Sequence, residues 1–222
     1  MPPYARRPYE PFSRQAVVAI ALREWRAFGS AVDPDETPDK PERAQGLWQR
    51  VGDYWWQGLD PTDPETPWTG KHDAHGRIFP PEDDGEFAWS AAFVSYVMRM
   101  AGAGATFPYG ANHHTYITAA LRGDPNLVIA AARAEAYAPR PGDLICVGRA
   151  ENAALRYDNA LRVGEFKAHC DIVVETGGPE GLSAIGGNVA DTVALRQFPV
   201  TPDGRLADPE RFLAILRLKT AE

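Results

Sequence analysis

One segment constrains this chain more than any other. Residues 87–102, FAWSAAFVSYVMRMAG, place Trp89, Ala92, Phe93, Tyr96, Val97 and Met100 at three- and four-residue spacing. That spacing predicts an α-helix, and its apolar residues are spread widely enough to predict a mostly buried one. Gly102 and Gly104 end it. A buried helix must be covered by the rest of the chain. The segments before it read as helices. Residues 12–28 form an amphipathic helix capped by Ser13, with Val17, Ile20, Ala21, Trp25 and Phe28 on one side and Gly29 as its stop. Residues 46–58 form a short Trp-rich helix, preceded by a Pro-rich loop at 30–45. Residues 59–86 are a long acidic loop with five prolines, and residues 1–11 a Pro- and Arg-containing arm.

Beyond residue 102 the pattern changes. Residues 113–122 read as a short helix and 125–134 as another candidate. After the turn PRPGD, LICVG at 144–148 reads as a strand, and 149–166 as a polar excursion. HCDIVVE at 169–175, LSAIGGN at 182–188, VALRQFPV at 193–200 and FLAILRL at 212–218 read as four further strands. Helices first and an antiparallel sheet afterwards is an α+β plan, and no linker divides it, so one domain over 1–222 is expected.

Composition removes several classes. Apolar residues make up 44% of the 222-residue chain, which fits a globular protein, and 20 Gly with 20 Pro lacking a period exclude collagen-like and repeat architectures. With 23 Lys and Arg against 30 Asp and Glu, the charge of −7 argues against a broadly basic binder of nucleic acid or anionic membranes, while leaving room for a local basic patch. Charges interrupt every apolar stretch, so no membrane span is expected. The first thirty residues lack a clean signal-peptide core. Cytoplasmic residence or export by dedicated machinery, with action in the periplasm, both fit. Oligomeric state is not legible.

Acyl hydrolysis can use a nucleophile, a base and a group that orients the base. Ser90 stands at the start of the buried helix, where backbone N–H groups and the helix dipole favour negative charge. His169 opens a strand, Asp171 shares its face, and Asn188 ends the next strand within reach of a ring nitrogen. The plainer reading is a helix cap, a strand-end residue and a turn former. Cys146 and Cys170 are too few for a disulfide-dense scaffold or a four-cysteine metal site, and read as structural, with Cys170 facing the core. His72, Asp73 and His75 lack a familiar zinc spacing and read as a polar loop. Asp143 reads as the holder of its Pro-Gly turn. GGPEG and IGGN lack the context of a phosphate loop, and neither cofactor nor metal is expected. Trp48, Trp55, Trp56, Trp68 and Trp89 read mainly as cover for the helical face of the sheet.

Four blocks carry a family resemblance. WSAAFVSY at 89–96 resembles the W-C-x-x-F-V block of papain-like cysteine amidases of the CHAP and NlpC type. PGDLI at 141–145, HCDIVV at 169–174 and AIGGN at 184–188 resemble their later blocks in the same order. The segments 16–29, DYWW at 53–56 and HHTYI at 113–117 further resemble a poorly characterised bacterial domain family within that group, whose block reads W-S-A-A-F. The resemblance implies a papain-like fold, with N-terminal helices packed on a small antiparallel sheet and residues 1–85 as a helical, loop-rich wrap. It implies amide hydrolysis on peptidoglycan stem peptides or a related bacterial amide. Ser90 stands where the amidases have their nucleophilic Cys, with His169 as base and Asn188 or Asp171 orienting it. His113, Tyr116, Trp89 and Glu86 are the expected substrate-side residues. Alternatives remain: a peptide- or glycan-binding module on the same fold, or a Cys parent with its nucleophile replaced.

Overall fold

The structure, a computed structural model, describes residues 11–36 and 38–220. The N-terminal arm therefore lies almost wholly outside the described residues. The described residues hold four α-helices, all in the first 122 positions: α1 (Arg14–Ala27), α2 (Leu47–Gly58), α3 (Ser90–Met100) and α4 (His113–Arg122). Ser13 caps α1, its hydroxyl accepting from the Ala16 N–H, and α4 stops at Gly123, which adopts the left-handed conformation. In α3 every residue from Ser90 to Met98 is buried, as its apolar distribution predicts.

The strands are β1 (Ala31–Val32), β2 (Ile129–Ala132), β3 (Leu144–Gly148), β4 (Ala168–Gly178), β5 (Gly181–Val189), β6 (Thr192–Phe198) and β7 (Ala214–Leu218). They form one open sheet in the order β1-β6-β5-β4-β3-β7-β2. It is mixed, because β1 runs parallel to β6 while the other pairs are antiparallel. The protein is thus an α+β fold.

Two departures from the sequence reading have clear causes. The helix expected within 125–134 is the edge strand β2, whose Ala-rich backbone pairs with Ile215–Leu218 of β7. Tertiary pairing outweighs alanine's helical preference there. The loop at 30–45 contributes β1, two residues held against Ala194 and Leu195.

Helices α1, α3 and α4 cover one face of the sheet, and α2 packs on the outside of α3. Val17, Ala21, Val51, Tyr54, Trp55, Phe93, Val97, Tyr116 and Ile117 share a buried cluster with Leu144, Cys170, Ile172 and Ile185. A smaller cluster on the opposite face joins Ile145, Val173, Leu182, Ala184 and Ile215. Cys146 and Cys170, directly paired across β3 and β4, form a disulfide inside the main core.

The two glycines of AIGGN explain how the site is assembled. A Cβ on Gly187 would stand 2.5 Å from the Phe93 Cβ and 2.9 Å from the Trp89 ring, so only glycine lets β5 approach the first turn of α3 this closely. On the opposite side of the strand, a Cβ on Gly186 would stand 2.1 Å from Asp171 Oδ1 and 2.9 Å from His169 Nε2.

Candidate active site

Two helix N-termini meet at one cleft. Ser90 is the first residue of α3 and His113 the first of α4. Both are 5% exposed, and Ser90 Oγ lies 2.7 Å from His113 Nε2. The other ring nitrogen, Nδ1, bonds the hydroxyl of Tyr116 one turn along α4. Burial foremost, then the neighbouring His169, pushes the His113 pKa well below its usual value, so the ring is neutral at pH 7. A neutral ring that accepts the Ser90 proton at Nε2 carries its own proton on Nδ1 and donates it to the Tyr116 oxygen. Burial, with Asp171 adding to it, raises the Tyr116 pKa well above normal, so its hydroxyl stays protonated.

A second histidine stands beside the first, the rings of His113 and His169 being 5.2 Å apart. His169 Nε2 bonds Asp171 Oδ1 at 2.9 Å, and Asp171 Oδ2 pairs with Arg196 of β6. Burial alone would raise the Asp171 pKa, but His169 and Arg196 together hold it down to about 2, so it is a carboxylate. The buried His169 Nδ1 has no hydrogen-bond partner among the described residues.

The sequence candidates thus fall into two groups. Ser90, His113 and Tyr116 are bonded in a row, with His169 and Asp171 beside them, and Ser90 bonds to His113 rather than to His169. Asn188 lines the cleft at φ 55° but bonds to neither ring nitrogen of His169. Glu86 is an exposed lining residue. Trp89 is buried, packed on Phe28 and Tyr54, and its Nε1–H donates to Glu42. Of the remaining tryptophans, Trp55 and Trp68 pack edge to face and both line the cleft, whereas Trp56 faces solvent. The cleft encloses about 820 Å³.

Several features were not read from sequence. Arg196 and Glu42 reach the site only through tertiary register. The disulfide needed the pairing of LICVG with HCDIVV to be known residue by residue.

Among the described residues, Glu42, Asp84 and Asp191 bring carboxylate oxygens within 4.8 Å of one another, as a cation site would. Positive charge already stands there: Lys40 Nζ lies 2.7 Å from Asp84 and 3.3 Å from Asp191, and Arg43 pairs with Asp84. Burial, reinforced by Asp191 and Asp84 against the opposing Trp89 and Lys40, lifts the Glu42 pKa to about 8. Asp73 accepts from the backbone of His75 and Arg77 and pairs with the Arg77 side chain, which holds its loop together. Asp143 serves its turn too, accepting from the Arg140 N–H, and binds Arg14 and the Leu218 N–H.

Fold and cleft define an α+β protein with a buried Ser–His pair at converging helix N-termini. The family model described as "Uncharacterized protein conserved in bacteria (DUF2272)" matches residues 42–219, and the chain belongs to that family. No curated protein and no solved structure matches it. No helix among the described residues is long and apolar enough to cross a membrane.

Proposed function

We propose that the protein is an acyl hydrolase of papain-like layout whose nucleophile is Ser90, acting on an amide such as a peptidoglycan stem peptide. The observation that carries this is the 2.7 Å contact between Ser90 Oγ and a buried, neutral His113 at the N-terminus of α3. In the proposed reaction Ser90 Oγ attacks the carbonyl carbon as its proton passes to His113 Nε2. The carbonyl oxygen gains negative charge beside the first N–H groups of α3, which have no partner within the helix and no side-chain cap. His113 then returns the proton to the leaving amine, and water hydrolyses the acyl-enzyme by the same exchange. His169, fixed by Asp171, stands close enough to assist the second half as a further base.

The amide and peptidoglycan parts of this reading rest on the sequence resemblance to the CHAP and NlpC amidases. The single-domain organisation, with residues 1–85 wrapped over the core, belongs to it as well. In support, Val17, Ala21, Val51 and Trp55 join the same buried cluster as α3 and the sheet. A specific observation favours the binding-module alternative: Tyr116, a neutral hydroxyl and not a carboxylate, orients His113, which makes for a weaker base. Peptidoglycan digestion followed by analysis of released stem peptides separates the two. We expect cleavage by the intact protein and a loss of about 10³-fold or more in Ser90→Ala. Absence of cleavage by the intact protein, or equal cleavage by the variant, would overturn the hydrolase reading.

A further inference from the structure

The disulfide stands at the foot of one wall of the cleft. Cys146 of β3 and Cys170 of β4 are directly opposite in the antiparallel register, both are 0% exposed, and their bond joins positions 24 residues apart. In the same register Val147 faces His169 and Ile145 faces Asp171, so the bond fixes β4 at the residue between the members of the His169–Asp171 pair. The excursion that the bond closes off also supplies that wall. Val147, Arg149 and Ala150 line the cleft from its first end, and Phe166, Lys167 and His169 from its second. The two ends meet again just above the bond, where the Arg149 N–H donates to the Lys167 carbonyl and the Lys167 N–H to the Asn152 side chain.

We propose that the Cys146–Cys170 bond is a maturation lock: the cleft wall and the His169–Asp171 pair are set only in the oxidised chain, and the protein reaches its working form outside the reducing cytoplasm. The inference is independent of the reaction assigned to Ser90. Stable disulfides form and persist in oxidising compartments, whereas cytoplasmic thiols are kept reduced. In forming the bond, the two thiols together give two protons and two electrons to the disulfide of a thiol oxidant, which leaves as two thiols. The exchange needs thiolate attack on an accessible sulfur. Both cysteines are enclosed in the main core, so the bond forms before that core closes and afterwards resists reductants. This burial distinguishes a lock from a reversible redox sensor, whose cysteines are solvent-accessible. Before oxidation, two thiols in van der Waals contact need more room than a bonded pair, and in a close-packed core they displace β3, β4 or their neighbours. Closing the loop also restricts the unfolded chain.

The test starts from the full chain, denatured and reduced, then refolded with either oxidised glutathione or dithiothreitol. Alkylation in denaturant is expected to find no free thiol in the first form and two in the second. The reduced form should melt about 10 °C lower or fail to fold. Where it folds, hydrogen exchange of the amides in 147–169 should be about tenfold faster or more, with a smaller change in the β5–β6 pairing. The double variant Cys146→Ala with Cys170→Val, which lacks the bond but keeps apolar side chains, should match the reduced form under both conditions. Dithiothreitol added to the folded, oxidised protein should leave the bond intact. Two free thiols after oxidative refolding, equal melting and exchange in the two forms, a variant equal to the oxidised form, or reduction of the folded protein would overturn the lock. Acid-quenched, alkylated cells of the source bacterium test the compartment. The bonded pair is expected, and free thiols in the folded protein there would overturn that assignment.

Discussion

Two clusters of buried polar groups meet α3, one around Glu24 and one around Ser90. Glu24 of α1 is fully buried, and its two oxygens accept from Arg50 Nε and Nη2, Arg23 Nε and Tyr54 OH. Tyr96 of α3 accepts in turn from Arg50 and Arg23. Both carboxylate oxygens are used, and the cluster ties three helices together. The Ser90 cluster is built from the same kinds of contact but is left open. Among the described residues His169 Nδ1 has no hydrogen-bond partner and Arg149 no paired acid, and both residues line a cleft. Complete satisfaction accompanies a structural role, because a buried ion contributes to stability only when its partners are in place. A site that must receive a ligand keeps polar atoms and charges unspent.

Breaking the closed cluster should have the largest effect on stability. Arg50→Ala leaves Glu24 buried beside a half-exposed Arg23, and should cost about 3–5 kcal/mol in urea unfolding. The pH dependence has a definite sign. Burial works to raise the Glu24 pKa, but Arg50, Tyr54 and Arg23 hold it below 4.5. Its stabilisation is therefore present above the unfolded value and lost as pH falls through the folded one. An unchanged midpoint in Arg50→Ala would show that the closed network is not what holds α1 to α2 and α3.

A smaller effect is expected at the edge of the open cluster, where Glu42 meets Trp89. With a folded pKa of about 8 against 4.5 in the unfolded chain, Glu42 binds more protons when folded between those values. Its contribution is fully present below about 4.5 and declines as pH rises toward 8. Glu42→Gln should flatten that part of the stability profile by an amount of order 1–3 kcal/mol. A profile identical to that of the parent protein would mean that Lys40 and Arg43 keep Glu42 ionised.

The contrast between the clusters also explains what was legible in the sequence. Local pattern carried α1 to α4 and the strands β3 to β7, because periodicity of 3.6 or 2 is written residue by residue. Ser90 and the shared face of His169 and Asp171 follow from position in a single element. What joins elements was hidden. The Ser90–His113 bond needs the relative placement of α3 and α4, 23 residues apart. Glu24 and Arg50, 26 residues apart, look in sequence like ordinary solvated charges of amphipathic helices. The strand β2 shows the same limit, since a run of alanines becomes a strand only when β7 lies alongside.

Reaction with a neutral fluorophosphonate, followed by intact-mass and peptide mass spectrometry, tests the central claim most directly. One adduct on Ser90 is expected in the intact protein and none there in Ser90→Ala. Labelling of His113→Ala should slow by about 10²-fold or more, with a much smaller effect in His169→Ala. No adduct on Ser90, or equal rates in the parent protein and His113→Ala, would contradict the account and make the Ser90–His113 bond as structural as the one between Glu24 and Arg50.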